Sequence, residues 1–222
     1  MIPLVLLPGL GSDHALWSAQ VRDLADVAHP GIGDTLNDDN LTAMAARVLA
    51  AAPDRFALAG LSMGGYLAFE IWRQAPQRVL RLALLDTSAR PDTPEQTAYR
   101  RQAIATAEGH ADFARLARFG LDQLLHPDTP EAVREAVVAM SVRVGPHRYA
   151  AQQPAIIGRR DSRSTLGTIT VPTLVLVGEQ DMLTRPPSPR RSRQALWARH
   201  WRSCRKRDTC RQWSSRRRWR RI

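Results

Sequence analysis

Four predominantly apolar runs stand out along the chain, at Ile2–Leu7, 56–59, Val79–Leu85 and 171–177. Each is short and bounded by turn-forming residues, which predicts strands buried on both faces. Between them the period changes. Leu67, Ala68, Ile71, Trp72 and Ala75 recur at helical spacing over Met63–Gln74, and Pro76 ends that segment. A further helix is expected at Leu41–Ala51, with Asn40 as its cap. Apolar strands alternating with helices predict an α/β fold, a mostly parallel sheet with helices on both faces.

From Arg90 to Gly167 the strand-like runs vanish and helical segments follow one another at 99–107, 111–125 and 130–142. This predicts a helical cap inserted after the strand that closes at Asp86. The chain therefore divides into a first part of the core (1–89), the cap (90–167), and a late strand with its following loop (168–184). Residues 185–222 are different material, an Arg/Trp-rich irregular tail.

Chemistry enters at Gly60-Leu61-Ser62-Met63-Gly64-Gly65, directly after one predicted strand and at the start of a predicted helix. A serine with glycines two residues away on each side reads as a nucleophile elbow. The serine has to occupy a sharp, strained turn to project its hydroxyl, and side chains at Gly60 and Gly64 would collide with the flanking elements. Met63 then opens the helix with a backbone N–H that has no intrahelical acceptor and is free for a developing oxyanion.

Four segments, in order, are LLPGLGSDHALW, GLSMGG, LALLDTS and VPTLVLVGEQD. Together they make the chain resemble a small, cap-bearing α/β-hydrolase of the esterase, lactonase and C–C hydrolase group, over roughly residues 1–184. The resemblance implies Ser62 as nucleophile and Asp181 as the acid that orients a histidine. It also implies Leu10 as the second oxyanion N–H donor. Asp86 is a competing acid at another strand end, where aspartates commonly cap loops, and the motif match favours Asp181. The implied reaction is hydrolysis of a small carboxylic ester, thioester or lactone through an acyl-Ser62 intermediate. A small-molecule substrate is the implied partner, and no metal or organic cofactor is implied.

Charge changes the picture at one place. The formal net charge is +11, yet residues 185–222 hold 15 Lys+Arg against one acid, so the remaining body is slightly acidic at −3. The tail also holds Cys204, Cys210, the sole lysine and four of the six tryptophans. A hydrolase of this kind needs a last strand, a histidine loop and a closing helix after Asp181, and the tail offers none of them. Read in a shifted frame with G/C-favoured codons, Arg207 to Trp219 becomes Gly-His-Leu-Ser-Thr-Met-Glu-Gln-Pro-Glu-Ala-Val-Ala, which resembles that histidine loop and helix. The expectation is an out-of-frame tail and a chain impaired for want of the triad histidine. None of His14, His29, His110, His126, His147 and His200 stands where the resemblance needs a base. The alternatives are a catalytically dead ligand-binding protein, or nucleic-acid or anionic-membrane binding through the tail. Specific partners of those kinds are not expected, while non-specific polyanion binding by the tail is. His200, Cys204 and Cys210 match no zinc spacing. With no signal peptide and no ~20-residue apolar span, cytoplasmic residence is the expectation.

Overall fold

The computed structural model describes residues 1–178, 180, 181, 183 and 184, together with the backbone of His200 and Trp201. Its centre is a parallel sheet of β1 (Ile2–Leu7), β2 (Ala28–Ile32), β3 (Phe56–Leu61), β4 (Val79–Leu85), β5 (Thr173–Leu176) and β6 (His200–Trp201). The spatial order is β2-β1-β3-β4-β5-β6. The alternation of side chains sends Val5, Leu7, Leu58, Leu82 and Leu84 to one face and Leu4, Leu6, Ala59, Ala83 and Leu85 to the other. This is why the strands read as continuous apolar runs: both faces bury side chains.

One strand escapes the sequence reading. β2 has the sequence AHPGI, and its Pro30 and Gly31 disguise it. It pairs with β1 alone, as an edge strand, where a proline without an N–H is tolerated. His29 lies in this strand.

The two faces are covered unequally. Against the first pack α2 (Leu41–Ala51) and α3 (Met63–Gln74), whose Met44, Val48, Leu67 and Ile71 are fully buried with Phe56. Asn40 caps α2 by accepting the Ala43 N–H at 2.8 Å. The second face is covered by a 3-10 turn at His14–Trp17 and the six-residue α1 (Ser18–Asp23). Among the described residues this leaves a groove of about 250 Å³ lined by Leu4, Leu24, Ala57, Ala59, Ala83 and Leu174.

Between β4 and β5 lie α4 (Pro94–Gly109), α5 (Phe113–Phe119), α6 (Leu121–Leu124), α7 (Glu131–Ile157) and α8 (Arg163–Leu166). Thr93 and Gln96 form a reciprocal capping box on α4, with Pro94 at its first turn. α4 and α5 pack on α7. α7 runs further than the pattern predicted, because Gly145 (φ 79°) and Pro146 bend it into two arms instead of ending it. The second arm leaves the helical insertion and carries Ala155 and Ile156 into the main core. Within 185–222, the backbone of His200 and Trp201 pairs with Leu174 and Val175, and the other residues lie outside the described ones.

Candidate active site

The strand order reverses between β1 and β3, which lie side by side while their crossovers leave in opposite directions. In an open parallel sheet the carboxyl ends at such a switch form the natural crevice for a ligand. The segments that follow these two ends are 8–12 and Ser62.

Ser62 joins β3 to α3 with φ 52° and ψ −113°, a positive φ that a residue with a Cβ seldom adopts. Such strain survives only where the surroundings over-determine it. Here the Ser62 N–H donates to the Leu85 carbonyl at 2.9 Å, and the Ser62 carbonyl accepts from Gly65 N–H at 2.9 Å and the Thr87 hydroxyl at 2.8 Å. The glycines around it leave no room for side chains. A Cβ on Gly60 would stand 2.2 Å from the Gly64 carbonyl oxygen, and one on Gly64 would stand 2.2 Å from that of Leu7. Gly65 has the same restriction against Thr87, at 2.4 Å. Ser62 is half-buried, and its Oγ takes no hydrogen bond from the described residues.

Both sequence-derived oxyanion donors come beside this serine. Met63 is the first residue of α3, so its N–H lacks an intrahelical acceptor. The loop after β1 approaches from the other side: a Cβ built on Gly9 would lie 3.6 Å from the Ser62 Cβ. Leu10 is the next residue. The loop closes as a turn, with Ser12 N–H donating to the Gly9 carbonyl at 3.2 Å and Gly11 at φ 65°.

The two acids that competed in the sequence meet in space. Parallel pairing of Leu85 with Leu176 brings the ends of β4 and β5 together. Asp86, at φ 42°, accepts the Gly178 N–H at 2.8 Å, and its carboxyl lies close enough to that of Asp181 to feel its charge. Burial first, then the like charge of Asp181, push Asp86 up to about 6, against the pull of the Gly178 N–H. Asp181 is itself fixed by the N–H groups of Leu183 (2.7 Å) and Thr184 (3.0 Å) and by the Thr184 hydroxyl.

No histidine with a described side chain joins them. His14, His29, His110, His126 and His147 are all exposed. His110 and His126 accept the N–H groups of Asp112 and Asp128, each two residues along their own loops. Among the described residues no group of three or more His, Cys, Asp or Glu could hold a metal ion. Nor is any helix there long and apolar enough to cross a membrane.

Two partners of the site carry no local sequence signal. Thr87, beside Asp86, braces the elbow. Gln152, on the second arm of α7, reaches the loop after β1 from 141 residues away.

A parallel sheet with a strained serine at its switch point, two strand-end carboxyls alongside and helices inserted after β4 defines a hydrolase-type α/β scaffold. Comparison with known proteins agrees. The family model for the alpha/beta hydrolase fold matches residues 2–210, and the chain belongs to this family. Among curated relatives, the pimeloyl-[acyl-carrier protein] methyl ester esterase of Vibrio parahaemolyticus is 31% identical over 196 residues, covering 81% of this chain and 76% of the relative. The enzyme of the same name from Aliivibrio salmonicida is 28% identical over 194 residues, covering 81% and 74%. Among solved structures, a thermophilic esterase from Thermogutta terrifontis superposes with a TM-score of 0.75 at 28% identity, covering 92% of this chain and 81% of its own.

Proposed function

We propose that the chain is a serine hydrolase scaffold for small carboxylic esters, thioesters or lactones, built around Ser62 and lacking a placed base. The observation that carries this reading is the strained Ser62 at the β3–α3 junction, held between three glycines that admit no side chain. The methyl ester named for the two curated relatives favours a carboxylic ester within this class.

In this reading the Ser62 Oγ attacks the ester carbonyl, and the charge that develops on oxygen is met by the N–H groups of Met63 and Leu10. The tetrahedral intermediate expels the alcohol, which carries off the proton that Ser62 gave up through solvent, leaving acyl-Ser62; water then adds to the acyl carbon, giving the acid and restoring the Ser62 hydroxyl. Asp181, with Asp86 against it, is the carboxylate that would hold an imidazole in the correct tautomer. The imidazole is what the described site lacks. Removing the base from a serine triad lowers turnover by a factor on the order of 10⁶, and the remaining rate comes from the oxyanion hole and substrate binding. The shifted-frame reading of 207–219 supplies a Gly-His-Leu at the required place in the chain order. It accounts for both the missing base and the abrupt change of composition after Thr184.

A fluorophosphonate probe tests the assignment. Slow labelling that maps to Ser62 and disappears in Ser62→Ala is the expected result. Labelling that persists in Ser62→Ala, or maps elsewhere, removes Ser62 from the role. Sequencing the DNA from about codon 180 tests the frame: a codon set with no Gly-His-Leu in any frame rejects that explanation. The polyanion-binding alternative rests on 185–222, which fall outside the described residues except for 200–201. Binding to DNA or anionic vesicles that survives deletion of 185–222 would exclude it.

A further inference from the structure

Gln152 is fully buried, at 0% exposure, in the second arm of α7. Its Oε1 accepts the Gly11 N–H at 2.9 Å and its Nε2 donates to the Thr35 carbonyl at 2.8 Å. One amide therefore ties three separate pieces of chain: the loop after β1, the loop after β2, and the helix leaving the insertion. A buried glutamine with both ends satisfied by distant backbone is a deliberate strut, since removing it would orphan a buried N–H and a buried carbonyl.

What the strut holds is the peptide between Leu10 and Gly11. The turn over residues 9–12 has glycine at its third position with a positive φ, as a type II turn requires. Type I and type II turns differ by a flip of this central peptide. By taking the Gly11 N–H, Gln152 selects one flip. The Ser12 hydroxyl, donating to the Leu10 carbonyl at 3.4 Å, favours the same one. The Tyr149 ring, one turn earlier on α7, closes the space on the other side, 3.3 Å from where a Gly11 Cβ would be. The Leu10 N–H belongs to the preceding peptide, which either flip leaves unchanged; what the anchor at Gly11 fixes is the place of the turn that carries this N–H beside Ser62.

We infer that Gln152 is a positioning residue of the oxyanion site, anchoring the turn that carries the Leu10 N–H to the helix that leaves the insertion. The inference rests on the reading of Leu10 as an oxyanion donor. A second tie supports the linkage between α7 and this loop. Arg143, on the first arm of α7, donates to both oxygens of Asp13 at 2.8 and 3.2 Å, and Asp13 in turn caps Ala15.

Two variants of the full chain test it. Gln152→Met keeps the volume and removes both hydrogen bonds. Gln152→Glu reproduces the acceptor and the donor only while its carboxyl is protonated, and burial raises the pH at which that proton leaves. Two readouts are taken: local amide hydrogen exchange, and the rate of Ser62 labelling by a fluorophosphonate relative to the parent at the same pH. In Gln152→Met, exchange over residues 9–12 should accelerate ~10-fold or more with β3 and β4 unchanged, and labelling should slow by roughly 10–100-fold. In Gln152→Glu, the labelling ratio should approach one near about pH 5 and fall toward the Gln152→Met value by about pH 8. Exchange at 9–12 that stays at the parental rate, or that rises equally across the strands, overturns the inference. So does a Gln152→Glu labelling ratio that is flat with pH. If the parent chain is not labelled at Ser62 at any pH, the serine reading fails instead, and the exchange comparison still decides the role of Gln152.

Discussion

Ser62 is held by atoms that leave no alternative, and this makes glycine substitutions informative. Gly64→Ala would drive a methyl to 2.2 Å from the backbone oxygen of Leu7, so β1 and α3 would have to separate. We expect a loss of at least ~2–3 kcal/mol of stability in urea unfolding, together with loss of Ser62 labelling. Gly31→Ala in β2 is the control, because nothing lies within 4 Å of its new methyl. Its unfolding midpoint should stay at the parental value. The elbow was legible in the sequence because glycines at fixed offsets from a serine have few other uses.

Asp86 was legible only as a strand-end acid. Its pairing with Asp181 needs the β4–β5 register, which no local pattern contains. The pairing has a sign that can be measured. Its carboxyl is raised from the ordinary 3.8 to about 6 in the fold, so the folded state holds this proton more tightly than the unfolded chain. The contribution to stability is fully present below about pH 4 and is lost as pH rises through about 6. Asp86→Asn keeps an acceptor for Gly178 and a donor for Asp181 without the charge. At pH above about 7 it should be more stable than the parent by roughly 2–3 kcal/mol, and the difference should shrink toward pH 4. Identical pH dependence in the two proteins would show that Asp86 does not hold the raised proton.

At the scale of elements, the insertion is fastened to the core by charge as well as by packing. Asp92, 2% exposed, accepts Arg100 of α4 at 2.7 Å and Arg159, just beyond α7, at 2.6 Å. The Arg159 guanidinium lies over the Tyr66 ring of α3, 4.3 Å from its centre. Asp92→Ala strands two guanidinium groups, one of them almost wholly buried, and should destabilise by roughly 3–5 kcal/mol. Thermal unfolding decides it, and a loss below about 1 kcal/mol, the worth of a surface pair, would show that water takes over both arginines. The helical character of 90–167 was legible from its period. The bend at Gly145–Pro146 was not, because glycine and proline together read as a stop. In α7 they turn the helix instead: the glycine supplies the positive φ and the proline opens the second arm. β2 was lost for the related reason that Pro30 and Gly31 are poor strand formers everywhere except at an edge.

Among the described residues, one face of the sheet carries substantial helices while the other carries a single short one and an apolar groove. Exposed apolar surface of this kind promotes association. The body should therefore bind a hydrophobic dye in the folded state, and Ala57→Glu, at a partly buried position on the groove wall, should lower that signal with the fold retained by circular dichroism. Unchanged dye fluorescence would mean that the groove is covered. Charge is divided just as unevenly, with the basic excess confined to 185–222. The fold class was legible because buried strands read as near-continuous apolar runs; the family motifs then pointed to Ser62 and Asp181 as candidate nucleophile and acid. What could not be read is whatever depends on distant segments meeting, as at Gln152, Thr87 and the Asp86–Asp181 pair.

We read the chain as a formed serine elbow without its base. The most direct measurement is the rate of fluorophosphonate labelling at Ser62 in three proteins: this chain, its Ser62→Ala variant, and a counterpart translated in the shifted frame from near Thr184. Slow labelling of this chain, none of Ser62→Ala, and labelling of the frame-shifted counterpart faster by ~10³-fold or more are expected. Equal rates for this chain and the counterpart would contradict this reading, because a base would then be present without the histidine loop.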